Sequence, residues 1–307
     1  RPADPLGLAN YLHPIMSSIM LSIKADQVAD EAIKAIRGGM KPVIALQNTG
    51  SSILEKHAEA EGLKDGDEVG EFGVRQALMA QLHRSRTLTI NSPVDPAEVA
   101  DLSEKVGEID IPEVIKRYDL YLTDEMLVRY NMVNFLSDWQ EVEALINGAD
   151  LESISGSPLD QIIERLEAEG LRVGEATGRG EMVRDGILKK RANSAQLQGD
   201  LIARFNGDRV EADIDVLLVN QSAATGLDMH AGNKFGDTSP RIMSLAQMFD
   251  DVNTLQQMLG RISRNDQAHP ATYNFLISDI PVEKRYMSQT AKKLAKLNST
   301  STGEEGG

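Results

Sequence analysis

The sequence predicts an α/β fold, a parallel sheet flanked by helices, and three observations carry that expectation. Short β-type runs alternate with helical patterns along most of the chain, the signature of strands joined by crossover helices. The run Val216-Leu217-Leu218-Val219 has no polar alternation, as a strand covered on both faces requires. A length of 307 residues, 41% hydrophobic and 26% charged, is enough for a sizeable core and is neither fibrous nor disordered in character.

In chain order, Val28, Ala32, Ile33 and Ile36 repeat at helical spacing and predict a helix over 27–37. PVIALQ at 42–47 reads as the first strand, and LRVGEAT at 171–177 as the next. Before that second strand, Ser157-Pro158 suits a cap and first helical residue, with Asp160 three positions after the cap. Leu159, Ile162, Ile163 and Leu166 then keep helical spacing until Gly170. Leu197, Leu201 and Phe205 mark a further helix closed by Asn206-Gly207, and strands follow at 215–220, 241–246 and 272–278.

Residues 63–156 break this rhythm. They hold 8 Lys and Arg against 19 Asp and Glu, with helical apolar spacing over 115–135 and 139–146, and read as a helical acidic insertion. Such a segment is either a solvated subdomain or a surface that docks a basic protein or separates strands. The expected organisation is one α/β domain in two parts, 1–62 and 157–297, with the insertion between them and a polar, Gly-rich, disordered tail over 298–307.

The net charge of −15 argues against a nucleic-acid partner on average, because phosphate binding needs Lys and Arg to displace counterions. The average misleads. Residues 1–175 carry 16 basic against 31 acidic side chains, whereas 176–297 carry 16 against 14. Without cysteine there is no disulfide, thiolate site or cysteine nucleophile, and the five histidines lack ligand spacing, so no metal site is expected. No run of 18 apolar residues or signal pattern appears, so no membrane partner is expected and the predicted location is intracellular, cytoplasmic or nuclear. Arg1 in place of Met fits a piece of a longer polypeptide, and a split two-subunit enzyme would read the same way.

Four constellations can carry chemistry. In DVNTLQQMLGRISRNDQ, residues 251–267, an advance of about 100° per residue puts Val252, Leu255, Met258, Leu259 and Ile262 on one arc of a helix. Gln257, Gly260, Arg261 and Arg264 fall on the other arc, where paired arginines suit a phosphate and the bare Gly260 suits close approach of a partner. In DVLLVNQSAATGLDMH a buried strand runs into Ser222, Ala223, Ala224, Thr225 and Gly226, small residues that let backbone N–H groups reach a phosphate, followed by Asp228. The third and fourth are Gln47-Asn48-Thr49-Gly50-Ser51-Ser52 and Ala176-Thr177-Gly178-Arg179, each directly after a strand. Such loops lie together at the carboxyl edge of a parallel sheet, where open α/β folds bind ligands. Taken singly, each has an ordinary alternative as a surface ion pair, a tight turn or a helix cap.

The order QNTG, ATGR, ARFNGD, VLLVNQSAATGLD and Gln257-x-x-Gly260-Arg261-x-x-Arg264 resembles the second RecA-like domain of superfamily 2 helicases, and within it the strawberry notch helicase C-terminal domain. The likeness is most specific over 158–297 and extends weakly to 27–61. It implies that Arg264, then Arg261, reach the γ-phosphate of ATP as arginine fingers with Gln257 beside them. It implies that Asp228, with Gly226 and Gly260 near it, contacts the nucleotide sugar or couples to those arginines. Gln47, Thr49, Thr177, Gly178, Ser222 and Thr225 would hold a DNA or RNA backbone. No phosphate loop and no ordered acidic pair occur in the 307 residues. ATP and Mg²⁺ would then be held mainly by an N-terminal Walker-type RecA-like domain, in cis or in trans, and this chain alone would be inactive. A non-catalytic scaffold is the rival reading, and a nucleotide-binding enzyme of other chemistry is a weaker one.

Overall fold

The computed structural model describes residues 17–49, 51–70, 72–90, 118–151, 154–192, 194–208, 214–221, 228–247, 249 and 251–302. The chain divides into two compact units, Val74–Ser153 with Arg1–Leu12, and His13–Gly73 with Ile154–Gly307.

The larger unit is an α/β domain built on a parallel sheet. Its sheet is formed by β1 (Lys41–Leu46), β4 (Val173–Ala176), β7 (Val216–Asn220), β8 (Arg241–Leu245) and β9 (Thr272–Phe275), in the order β4-β7-β1-β8-β9 and parallel throughout. All five strands expected from the sequence are present. The central strand β1 is buried at every position, and so are Val216–Val219 of β7, because helices cover both faces of the sheet.

One face packs under α1 (Ala25–Arg37) and α6 (Pro158–Ala168), where Val28, Ala32, Leu159, Ile162 and Leu166 meet Ile44, Leu46 and Leu218. The other packs under α7 (Ala195–Phe205) and α8 (Val252–Leu259), where Phe205, Leu255 and Met258 meet Val43, Leu217 and Leu245. Alternate side chains of β1 and β7 therefore feed the two layers. Ser157 precedes Pro158 as expected, but its hydroxyl donates to Asp160 at 2.5 Å and makes no backbone cap.

Three findings depart from the expectation. Residues 63–73 belong to the sheet-bearing unit, where Val69 and Leu188 share a small core with Leu54 and Ala58 of α2 (Ser51–Glu61). That core carries an antiparallel hairpin, β5 (Glu181–Arg184) and β6 (Ile187–Lys190), turned at Asp185 and Gly186, both with positive φ. And α9 (Pro281–Thr302) continues through Asn298–Thr302, where a disordered tail was expected; 303–307 lie outside the described residues.

The smaller unit is not purely helical. Beside α3 (Val74–Arg84), α4 (Asp124–Arg129) and α5 (Val133–Gly148) it holds an antiparallel ribbon, β2 (Thr87–Ile90) and β3 (Tyr118–Tyr121). The β-type residues of YDLY outweigh the helical spacing expected over 115–135. Trp139 and Arg86 organise its centre, the guanidinium stacked 4.7 Å from the indole while the indole N–H donates to the Leu82 carbonyl at 2.8 Å. Among the described residues no helix is long and apolar enough to cross a membrane.

Candidate functional site

At the carboxyl edge of the sheet, the chain leaving β1 is held by a residue that sequence reasoning missed. Gln247, 3% exposed just after β8, accepts from the backbone N–H groups of Gln47 and Asn48 at 3.0 and 2.9 Å. Its amide nitrogen donates to the carbonyl and hydroxyl of Ser17. Both ends of a buried amide are thus satisfied, and the backbone before Thr49 is fixed. Gln47, Asn48 and Thr49 are all partly buried there.

After β4 the arrangement is ionic. Thr177 is 1% exposed and its hydroxyl donates inward to Glu175, while Gly178 is exposed. Arg179, 2% exposed, donates to both oxygens of Glu175 at 2.7 and 2.8 Å and to Asp160 at 2.5 Å. Arg191 donates to Glu175 at 2.9 Å and to its carbonyl at 3.0 Å. Burial alone would push the Glu175 carboxyl up, but Arg179, Arg191 and Thr177 outweigh it and hold the carboxyl below its ordinary value. The side chains of this loop therefore face inward, and Gly178 presents its backbone. Ser222, Thr225 and Gly226, on the same edge by sequence, lie outside the described residues.

The arginine motif is built differently from the expectation. The helix ends at Leu259 with Gly260 as its C-cap, so Arg261 and Arg264 stand on an irregular strap beyond it. Ile262 keeps the helical spacing only because it is buried, at 1% exposed, against the same core. Asp251 starts the helix, accepting from the backbone N–H of Thr254 at 2.8 Å. Gln257 is exposed. Gly260 has φ −63°, and a Cβ there would meet no atom closer than 3.4 Å, so nothing in the described structure requires glycine.

Arg264 and Asp228 come together. The guanidinium donates from Nε and Nη2 to Oδ1 at 3.3 and 3.1 Å, with the side chains 46% and 39% exposed. Arg261 contributes backbone: its carbonyl accepts from Met229 N–H at 2.9 Å, and its guanidinium makes no ion pair with a described residue. Ala268 N–H donates to Ala231 at 2.8 Å and Gly232 bridges to Gln267, so the strap is stitched to residues 229–232.

That stitch sets the pair apart from the loops. Arg241, the first residue of β8, donates to the Met229 carbonyl, and Asn206, which ends α7, donates to the Asp228 carbonyl at 2.9 Å. Both anchors lie at the amino-terminal ends of the strands, beside Lys41 and Asp237. Arg264 and Asp228 therefore sit toward the amino edge, and Gln47, Thr49, Thr177 and Gly178 at the carboxyl edge. The loops and the pair do not share one edge: α8 runs back across the sheet after β8, so the strap beyond it emerges at the opposite end.

Residues 157–306 match the C-terminal domain on Strawberry notch homologue. Over 151 residues the chain is 27% identical to Protein strawberry notch of Drosophila melanogaster, covering 48% of this chain and 9% of that protein. It is 25% identical over 158 residues to Protein strawberry notch homolog 1 of Homo sapiens, covering 50% and 11%. With Protein FORGETTER 1 of Arabidopsis thaliana the identity is 22% over 161 residues, covering 50% and 12%. The chain thus spans about a tenth of the length of these relatives. The solved C-terminal part of the Fun30 ATPase domain covers 82% of this chain and 89% of its own at 13% identity, with a TM-score of 0.32, too low to carry an argument.

The strawberry notch match starts at residue 157, where α6 begins, and so includes β4, β7, β8 and β9 but not the central strand β1. Within the matched region the half-exposed Arg264 and Asp228 can take an anionic ligand and a hydroxylated one. Among the described residues no group of three His, Asp or Glu could hold a metal ion. A half-exposed guanidinium of this kind fits an anionic group such as a phosphate.

Proposed function

We propose that the chain is the C-terminal motor domain of an ATP-dependent nucleic-acid helicase or translocase, hydrolysing ATP only with a Walker-type N-terminal domain. The observation that carries this reading is the half-exposed Arg264–Asp228 pair, on a strap fixed by backbone hydrogen bonds to the segment after β7. A guanidinium held by one exposed carboxylate is positioned yet exchangeable, since such a pair is worth roughly 0 to 1 kcal/mol. When bound between the two domains, ATP supplies the phosphoryl group whose transfer drives the cycle. Closure brings Arg264 onto the charge developing there, with Arg261 and Gln257 beside it, while Asp228 turns to the sugar or keeps Arg264 aligned. At the other end of the sheet, the backbones around Gln47, Thr49 and Gly178, with Ser222 and Thr225, grip successive phosphates of a DNA or RNA strand without reading its sequence. Separation of the two ends suits a motor, in which the fuel and the track must not compete for one surface.

The test is ATP hydrolysis by this domain combined with its Walker-type partner, with and without single-stranded DNA and RNA. Turnover that needs both domains and rises with nucleic acid supports the reading.

A scaffold whose acidic unit takes a basic protein is favoured by one observation. Val128, Tyr130 and Val133 are 55%, 65% and 50% exposed where α4 meets α5, helices that also carry Asp124, Glu125, Asp138 and Glu141. Absence of any hydrolysis from the combined domains, with either nucleic acid, would favour it over the motor.

A further inference from the structure

The sequence leaves a physical gap in the motor reading: a chain with a net charge of −15 must still hold a polyanion. The helix α9 closes that gap. It carries Lys284, Arg285, Lys292 and Lys293, all exposed, and its acid, Glu283, is buried and bonded to the buried Lys24. At about 100° per residue, Arg285 and Lys292 fall within about 20° of each other, with Lys284 and Lys293 on either side. Glu283 and Thr290, the buried positions, fall on the opposite arc, with the partly buried Met287 near them. One face therefore carries all four cations, with the exposed Ser288 and Gln289 between them, and the other is packed.

Both parts of this face are tied to the carboxyl edge. Lys24 donates to the Leu276 carbonyl at 2.7 Å and Glu283 accepts from Ser278 N–H at 2.6 Å, which pins the start of α9 beside the end of β9. Farther along, the helix touches α8, and Lys293 lies close enough to Asp251 to add to the Thr254 hydrogen bonds that hold that carboxyl below its ordinary value. Asp251 starts α8 just after β8, so α9 stays beside the edge that carries Gln47, Thr49 and Gly178. Of the four cations, Lys284 meets Asp279 in an exposed pair at 2.8 Å. Arg285, Lys292 and Lys293 make no ion pair with a described residue.

We propose that this face of α9 is a binding surface for the phosphate backbone of a nucleic-acid strand. It rests on the nucleic-acid reading above and extends it to residues no motif covers. Arg285 and Lys292 rise about 10 Å apart along the helix, a span over which a polynucleotide presents several charges. Exposed side chains on a helix pinned by a buried ion pair bind the backbone without sequence preference and lose affinity steeply with salt.

The experiment is fluorescence anisotropy of a labelled oligothymidylate with the 307-residue chain across a salt series. Arg285→Gln/Lys292→Gln is compared with Lys34→Gln/Arg37→Gln, two exposed cations at the far end of α1 that are already paired with Glu31 and Glu169. Circular dichroism confirms that each variant is folded. The α9 variant is expected to bind roughly tenfold more weakly at low salt, and the slope of log K against log salt to fall by about 1.4, while the control stays near wild type. Equal effects of the two variants overturn the proposal and leave the motor reading standing. No binding by the wild-type chain also overturns it, and the arginine assignment then stands or falls on ATP hydrolysis alone. Tighter binding of polyglutamate than of the oligonucleotide, with the same slope loss, assigns the face to an acidic protein and overturns it as well.

Discussion

Arg264 and Arg179 both belong to short motifs at the end of an element, yet their surroundings give them opposite consequences. Arg264 is half-exposed against one carboxylate, so Arg264→Ala should change unfolding free energy by no more than about 1 kcal/mol. In the combined two-domain protein the same change should lower ATP turnover by on the order of 10³ to 10⁵. Urea unfolding and steady-state hydrolysis check the two halves, and retention of a tenth of turnover would remove Arg264 from the assignment. Arg179 bridges Glu175 and Asp160 in the interior, and Arg179→Ala takes the shared cation from two buried carboxylates, leaving Glu175 to Arg191 and Thr177 and Asp160 to the Ser157 hydroxyl and the Val183 N–H. A loss of about 3 to 5 kcal/mol is expected, read by urea unfolding. A loss below about 1 kcal/mol would mean that water already solvates that network. That Asp228 stands near Arg264 is one of the two roles the family resemblance allowed it, since both residues stand in motifs of known order. The inward turn of Thr177 was not legible, because its partner Glu175 sits inside a run that reads simply as strand.

Elements were legible wherever local pattern and tertiary packing agree. The five sheet strands and the helices α1, α6 and α7 all satisfy their own periodicity with side chains that reach the core. The arginine helix misled because Ile262, buried after the helix has ended, continues a spacing the backbone no longer follows. The β5–β6 hairpin was announced by Asp185-Gly186 between β-type residues, a pair suited to a turn with two positive φ angles, and the reading of strands as sheet members passed over it. Close packing between elements left a subtler sign. A Cβ on Gly174 of β4 would lie 2.5 Å from Leu201 Cδ2 of α7 and 2.9 Å from Ile214 Cγ2. Gly174→Ala should cost about 1 to 3 kcal/mol by overpacking this seam, measured by chemical unfolding, with α7 the first region to lose amide-exchange protection.

For the whole molecule, ion pairs gather at the two ends of the sheet and govern its response to acid. Burial pushes the carboxyls of Glu175, Asp215 and Asp237 up, but Arg179 and Arg191, Arg172, and Lys41 with Ser239 respectively overcome it and hold each below its ordinary value. The unfolded chain therefore takes up these protons first as pH falls. Stability should be level from neutrality down to the ordinary carboxylate range, about pH 4 to 5, and decline below it. Unfolding midpoints in urea at successive pH values check this, and a midpoint that rises between pH 5 and 3 would contradict it. Summed composition hid this distribution of charge: the carboxylates that matter here are few and paired, and the exposed cations of α9 are outnumbered in any average over the chain.

The backbone stitch between Met229–Gly232 and Arg261–Ala268 carries a mechanical meaning. Peptide groups bonded across two segments transmit displacement without waiting for a side chain to reorient. A displacement of residues 229–232 should therefore be felt at the guanidinium as a shift of its footing, and a push on the guanidinium should travel the same route in reverse. Cutting a covalent bond within either segment should uncouple the two ends of the sheet while leaving both intact.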